Sequence, residues 1–220
     1  MAKPLLVLGN QNYSSWSLRP YMALSMAGIG FEQKTVRLFV PGFAAKMAKY
    51  KAAEKLPLLL HKGNIIWDTL AIIEYAAETW PEHHLWPKNK KARAMARSVS
   101  AEMHSSFFAL RNACSMNIRR DKKLPPGGIT EAVQKDVTRI ETIWAQCRKA
   151  HGKGGPFLFG KFSSADAMFT PVASRFETFA IPIKPESRRY MEAVLATPAY
   201  QQWKAEALKE KWVVVEDEVD

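Results

Sequence analysis

Cysteine is scarce: there are two in 220 residues, Cys114 and Cys147, far apart in the chain. That count builds no disulfide framework and no metal pattern, and a reducing compartment is the simpler fit. Long apolar runs are lacking too. No stretch approaches the ~20 residues of a membrane span. The opening MAKPLLVLGN has no long apolar h-region and no small-residue cleavage site, so no signal peptide is expected. A cytoplasmic protein with no membrane partner follows as the expectation. His83-His84 has no third ligand at metal spacing, so no metal is expected. Internal repeats are absent. Acidic charge is in deficit: 32 Lys and Arg against 21 Asp and Glu leave +11. Such a balance suits anionic small molecules or polyanions, and it also serves solubility. No basic run carries interleaved aromatics and no nucleic-acid motif occurs, so no nucleic-acid partner is expected.

What is present is a chain that is 47% hydrophobic and 11% aromatic, enough for a sizeable core. Its organising stretch is Asn12-Tyr13-Ser14-Ser15-Trp16-Ser17-Leu18-Arg19-Pro20. Leu5-Leu6-Val7-Leu8-Gly9 before it reads as a buried strand; Met22, Leu24, Met26 and Ile29 after it suit a helix. Three hydroxyls thus flank a helix N-terminus, where unpaired N–H groups and the dipole favour an anion, a thiolate included. The simplest role for these serines is capping. With Ser17 as N-cap, Pro20 falls in the first turn; Ser14 or Ser15 as N-cap implies a kink.

Lys34-Thr35-Val36-Arg37-Leu38 alternates as a second strand, and β-α-β favours a parallel pair. A loop and short helix follow over 41–55, with Lys46, Lys49, Lys51 and Lys55. The segment 55–61 is a strand entered through Pro57. A turn at Lys62-Gly63-Asn64 and the strand Ile65-Ile66-Trp67 complete a hairpin. Asp68-Thr69 cap a periodic helix holding Leu70, Ile72, Ile73, Tyr75 and Ala76. The order β-α-β-α-β-β-α is that of a thioredoxin-like domain, placed at 1–80. Residues 81–88 form a proline-flanked linker. From 89 to 220 the reading is all-helical. One long helix is expected over 90–112, with Met95, Val99, Met103, Phe107 and Leu110 on one face. A second carries Val133, Val137, Ile140, Ile143, Trp144 and Cys147. Ser163 and Asp166 have capping-box spacing, with Phe162 placed to staple against Ala167. Short helices are expected over 187–196 and 198–211. The acidic end Glu216-Asp217-Glu218-Val219-Asp220 reads as solvated.

In this order and spacing, three motifs resemble the cytosolic glutathione S-transferase superfamily, and its zeta-like bacterial branch most. Ser14-Ser15-Trp16-Ser17 resembles the Ser-Ser-Cys motif whose first serine is catalytic. Leu56-Pro57 resembles the family's Val-Pro, with a cis-proline before the third strand. Asp68-Thr69-Leu70-Ala71-Ile72-Ile73-Glu74-Tyr75 resembles the Gln/Glu-Ser-Leu-Ala-Ile-Ile-Glu-Tyr signature. Ser163-Ser164-Ala165-Asp166 also fits the family's capping box. The resemblance implies the two-part fold of that family, thioredoxin-like then all-helical, and a homodimer. It also implies glutathione as co-substrate and a small electrophile as the second reactant.

The resemblance assigns Ser14 to the glutathione sulfur, with Ser15 second and Tyr13 third. A hydroxyl donating to sulfur favours the thiolate, and a shift of ~2 pKa units would be worth ~2.7 kcal/mol. Leu56, before Pro57, is expected to pair with the cysteinyl backbone like an added strand. Asp68 is expected to meet the γ-glutamyl ammonium and Thr69 its carboxylate, alongside their capping role. Lys46 is chosen for the glycyl carboxylate. The electrophile pocket is expected between the two parts, with Phe107 and Arg111 its leading candidates. Met103, His104, Phe108, Met116 and Arg175 are weighed beside them. Trp16 departs from the zeta cysteine and suits a pocket wall. The expected activity is transfer of the glutathione thiolate to a small electrophile. A maleylacetoacetate-type isomerase and a non-catalytic ligand-binding protein are the alternatives.

Overall fold

A computed structural model describes residues 3–50 and 55–219. Among these, strands β1 (Leu5–Leu8), β2 (Glu32–Thr35), β3 (Leu58–His61) and β4 (Asn64–Trp67) form one sheet in the order β2-β1-β3-β4. β1 and β2 are parallel; β3 is antiparallel to both β1 and β4. The parallel pair needs a crossover, and α1 (Ser15–Met26) supplies it. The β3–β4 hairpin turns through Lys62 and Gly63, both at positive φ (49° and 81°). That pair matches the twist of the flanking strands. β2 begins two residues before the expected segment. It is an edge strand whose side chains are mostly exposed, so its ladder needs no apolar alternation. Val36 and Leu38, which carried that alternation, lie just beyond it. The Val36 N–H still donates to Leu8 O at 2.8 Å, and the Leu38 N–H to Asn10 Oδ1 at 2.8 Å.

The N-cap of α1 is Ser14, so Pro20 lies inside the helix. Proline has no N–H, which leaves the carbonyl four residues earlier without its helical donor. That carbonyl belongs to Trp16, and Thr69 Oγ1 donates to it at 2.9 Å. The bond joins α1 to the first residue of α3 (Thr69–Thr79). A short α2 (Phe43–Ala48) follows β2. Met47, Tyr50, Val7, Val36 and Leu58 make a small core on that side of the sheet.

Pro81–His83 is a single 3-10 turn leading into helices. The long helix expected over 90–112 is instead two: α4 (Lys90–Ser105) and α5 (Phe108–Ala113). The break is at Phe107, at φ 65° in the left-handed region. Its ring stays buried with Met103 and Leu110, so the apolar face survives the break. α6 (Glu131–His151) supplies what makes α5 possible: Asp136 Oδ2 accepts from the Leu110 N–H at 3.0 Å. α7 (Ser164–Thr178) is central, buried on every side except at Glu177 and packed on α1, α4 and α8. Its Ser163–Asp166 capping box is present as the spacing predicts. Asp166 is fully buried and also accepts from the Leu158 N–H (2.9 Å) and the Tyr190 hydroxyl (3.1 Å). Burial pushes its carboxyl up to about 6. Phe162 meets the Phe157 ring edge-on at 5.2 Å. α8 (Pro185–Leu195) and α9 (Pro198–Lys209) each start with proline in the first turn, where its missing N–H is harmless.

The acidic end is not simply solvated. Glu218 Oε1 accepts from the Tyr13 hydroxyl, and Glu218 Oε2 from Asn117 Nδ2 at 2.9 Å. Asp217 is half-buried, and Val214 is 3% exposed. Asp220 lies outside the described residues.

Candidate functional site

A cavity of about 810 Å³ opens between the start of α1, the loop after β2 with the start of α2, the segment leading into β3, the end of β4 and the start of α3. Ser14, Trp16, Leu38, Phe39, Phe43, Lys55, Leu56, Pro57, Trp67, Asp68 and Thr69 line it. Ser14 is placed by the turn before α1. Its N–H donates to Asn10 O at 2.7 Å, and its Oγ accepts from the Ser17 N–H at 3.3 Å. The Ser14 hydroxyl donates to Ser17 Oγ at 2.8 Å, and Ser17 Oγ also accepts from the Gly9 N–H at 2.9 Å. Position 9 has to be small: a Cβ there would lie 2.7 Å from Leu38 Cδ1 and 3.1 Å from Ser14 Oγ.

The other hydroxyls lie differently. Ser15 is buried in the first turn of α1 and does not line the cavity. Tyr13 does not line it either. Its hydroxyl is held between Glu218 and Arg119, whose Nη2 donates to it at 2.7 Å. Burial and Glu218 raise the Tyr13 phenol above its ordinary value.

Across the cavity, the Leu56–Pro57 peptide bond is cis. Asp68 caps α3 from a positive φ of 75°, and its Oδ1 accepts from the Leu70 N–H at 2.8 Å. The Thr69 hydroxyl is engaged, donating to Trp16 O. Lys46 is exposed on α2 and does not line the cavity, whereas Lys55 does. Lys51 lies outside the described residues. The sequence offered four lysines without ranking them by direction, because the segment has no period to rank them by.

Phe107 is 5% exposed in the core and does not reach the cavity. The left-handed backbone at that residue turns its ring inward with the α4 face. Arg111 lies behind the cavity wall, its guanidinium 4.6 Å from the Trp16 ring centroid. Arg19, 0% exposed, sits 4.5 Å from the same ring. Its Nε donates to Met168 O at 3.2 Å, while Nη1 and Nη2 have no partner. Arg175 Nε donates to Cys114 O at 2.7 Å, and its Nη1 also lacks a partner. Burial and the neighbouring Arg111 lower both guanidiniums, Arg175 to about 10. Arg175, at about 10, remains a cation at neutral pH. A buried, partly unpaired guanidinium group is suited to an anion; neither arginine lines the cavity, and Arg19 lies behind its Trp16 wall. Sequence reading missed Arg19 and Trp67, and chose Lys46 over Lys55 among the four lysines. A fully buried arginine has no signature in a helical pattern, and Trp67 reads only as a strand end. Among the described residues, no group of His, Cys, Asp and Glu is placed to hold a metal.

Residues 13–79 match the family model described as glutathione S-transferase, N-terminal domain. The chain is 28% identical over 200 residues to a probable maleylacetoacetate isomerase of Caenorhabditis elegans, covering 90% of this chain and 91% of that one. It is 25% identical over 168 residues to a zeta-class glutathione S-transferase of Euphorbia esula, covering 76% and 71%. Among solved structures, a glutathione transferase homolog from Burkholderia gl BGR1 with bound glutathione superposes with a TM-score of 0.71. That likeness has 23% identity and covers 95% of this chain and all of that one.

Proposed function

We propose that the chain is a member of the cytosolic glutathione S-transferase superfamily, which its match over residues 13–79 and its relatives support, and that it activates glutathione as a thiolate for attack on a small electrophile. The observation that carries this is Ser14 at the mouth of α1, in a cavity that also holds Leu56, Asp68 and Lys55. In this reading residues 1–80 bind glutathione, 81–88 link, and 89–220 carry the electrophile side and the contacts of a homodimer.

Ser14 donates to the sulfur. To do so its hydroxyl proton swings from Ser17 Oγ toward the ligand. Ser17 Oγ, anchored by the Gly9 N–H, then donates its own proton to Ser14 Oγ. Ser14 Oγ so keeps the Ser17 N–H and gains a second donor, which strengthens it toward an anion. Ser15 serves the helix turn. Leu56 pairs its backbone with the cysteinyl unit, beside Pro57. Asp68 takes the γ-glutamyl ammonium, and the Thr69 N–H at the start of α3 takes the γ-glutamyl carboxylate. Lys55 replaces Lys46 as the partner of the glycyl carboxylate.

A second reading is favoured by one observation, the unpaired nitrogens of buried Arg19 and Arg175. They suit an electrophile carrying carboxylates, as in glutathione-dependent cis-trans isomerisation of the maleylacetoacetate type. The two readings share the thiolate and differ in the electrophile. The deciding experiment pairs calorimetric glutathione binding with a panel of aryl halides and maleylacetoacetate. Ser14→Ala is expected to lower kcat/KM on any accepted substrate by about 10²-fold, the size of losing one oriented donor to a developing anion. An undiminished rate in folded Ser14→Ala would overturn the mechanism.

A further inference from the structure

Asp68 has two oxygens and two tasks. Oδ1 closes the first turn of α3 by accepting from the Leu70 N–H. Oδ2 lies 3.3 Å from His104 Nε2. His104 comes from α4, on the electrophile side, and meets the Trp16 ring edge-on with centroids 5.1 Å apart. Its other ring nitrogen, Nδ1, is buried and has no hydrogen-bond partner. A carboxylate can only accept, so Nε2 carries the proton and Nδ1 is the bare one. Burial, Arg19 from α1 and Arg111 from α5 all disfavour a charged ring, while Asp68 at the cap of α3 favours it; the balance lowers His104 below its ordinary value. A neutral ring steadies the carboxylate without cancelling its charge.

We propose that His104 is a positioning residue for Asp68, holding the carboxylate that receives the γ-glutamyl ammonium, and that it does so only as the neutral ring. When Nδ1 gains a proton, the imidazolium competes with the ligand's ammonium for the same carboxylate. Glutathione affinity then falls as pH falls. By linkage, bound glutathione makes His104 harder to protonate. The proposal rests on the glutathione reading above. It also ties α4 to the glutathione subsite, so the two substrates share a contact through Trp16 and His104.

The test is calorimetric binding of S-methylglutathione, which keeps the ammonium and the carboxylates but has no thiol to ionise, to the intact protein between about pH 7.5 and about pH 5, where its carboxyls do not titrate. The wild-type Kd is expected to rise about fivefold or more toward the acid end. His104→Gln, whose amide Nε2 still donates but does not titrate, is expected to bind within about twofold of wild type at neutral pH and to give a flat profile. His104→Leu is expected to weaken binding about tenfold across the range. A glutamine variant that keeps the wild-type pH profile overturns the proposal, as does a leucine variant that binds like wild type. Should the leucine variant fail to fold, the wild type decides by NMR. Glutathione is expected to lower the His104 titration midpoint, and an unmoved midpoint overturns the proposal. A wild type that binds no glutathione at neutral pH removes the underlying reading and this proposal together. Binding without the pH dependence removes this proposal alone.

Discussion

At the scale of residues, Pro20, Trp16 and Thr69 form one device. Pro20 withholds a donor, the Trp16 carbonyl is left short, and the Thr69 hydroxyl makes up the bond at 2.9 Å. Thr69→Val keeps the shape and removes the donor. It is expected to cost ~1–3 kcal/mol, the range for a buried carbonyl left unpaired. Urea unfolding checks this; an unchanged midpoint would mean that another donor reaches Trp16 O. Asp68 was legible as a helix cap, and Ser14 as one of three serines that could cap α1. Ser14 also faces the cavity, and Asp68 also meets His104. Lys55 was one lysine among four, because its direction is set by the fold around it and by no local rule.

At the scale of elements, the break between α4 and α5 shows where periodicity misleads. The apolar spacing runs unbroken through Phe107, and every large apolar residue on that stripe except Met95 is buried. A stripe can be buried on one straight helix or on two short ones. Asp136 tips the choice by capping α5 from α6, with Oδ2 3.0 Å from the Leu110 nitrogen. Asp136→Ala is expected to destabilise the fold by ~1–2 kcal/mol, as losing a helix cap does. Denaturant titration reads it, and hydrogen exchange at residues 107–113 is expected to rise ahead of α4. The capping box on α7 is the opposite case. Ser163 and Asp166 are three apart, the motif is local, and the sequence was enough to read it.

At the scale of the whole molecule, the two parts are sewn together by buried polar contacts across large sequence distances. Asn12 Nδ2 donates to Asn117 Oδ1 (2.8 Å), and Trp203 Nε1 to Gln11 O (2.8 Å). The chain's last residues add Glu218 on Tyr13 and Asn117, and Arg120 Nε on Val219 O at 3.0 Å. Ending the chain at Lys211 is expected to lower Tm by roughly 4–8 °C, equivalent to losing ~2 kcal/mol at this size. Calorimetry measures it, and an unchanged Tm would mean that the end only rests on the surface. Cys114 and Cys147 are free and buried, their thiols pushed up by burial to about 11 and about 12. Neither is expected to react with a thiol reagent at neutral pH in the folded protein, and both should react in denaturant. Prompt modification of the native protein would contradict their burial.

The amino-acid order by itself determined the succession of strands and helices, the hairpin turn, the caps at Asp68 and Ser163, and the apolar faces, and it narrowed the cap of α1 to Ser14, Ser15 or Ser17. Each of these depends on residues no more than a few positions apart, where backbone geometry fixes which groups meet. Only the tertiary structure decided the break at Phe107, the choice of Ser14 as the cap of α1, the docking of the acidic end, the placing of Lys55 at the cavity and the meeting of His104 with Asp68. Those contacts join groups remote in sequence, or take their direction from surrounding packing, so no local period or spacing records them.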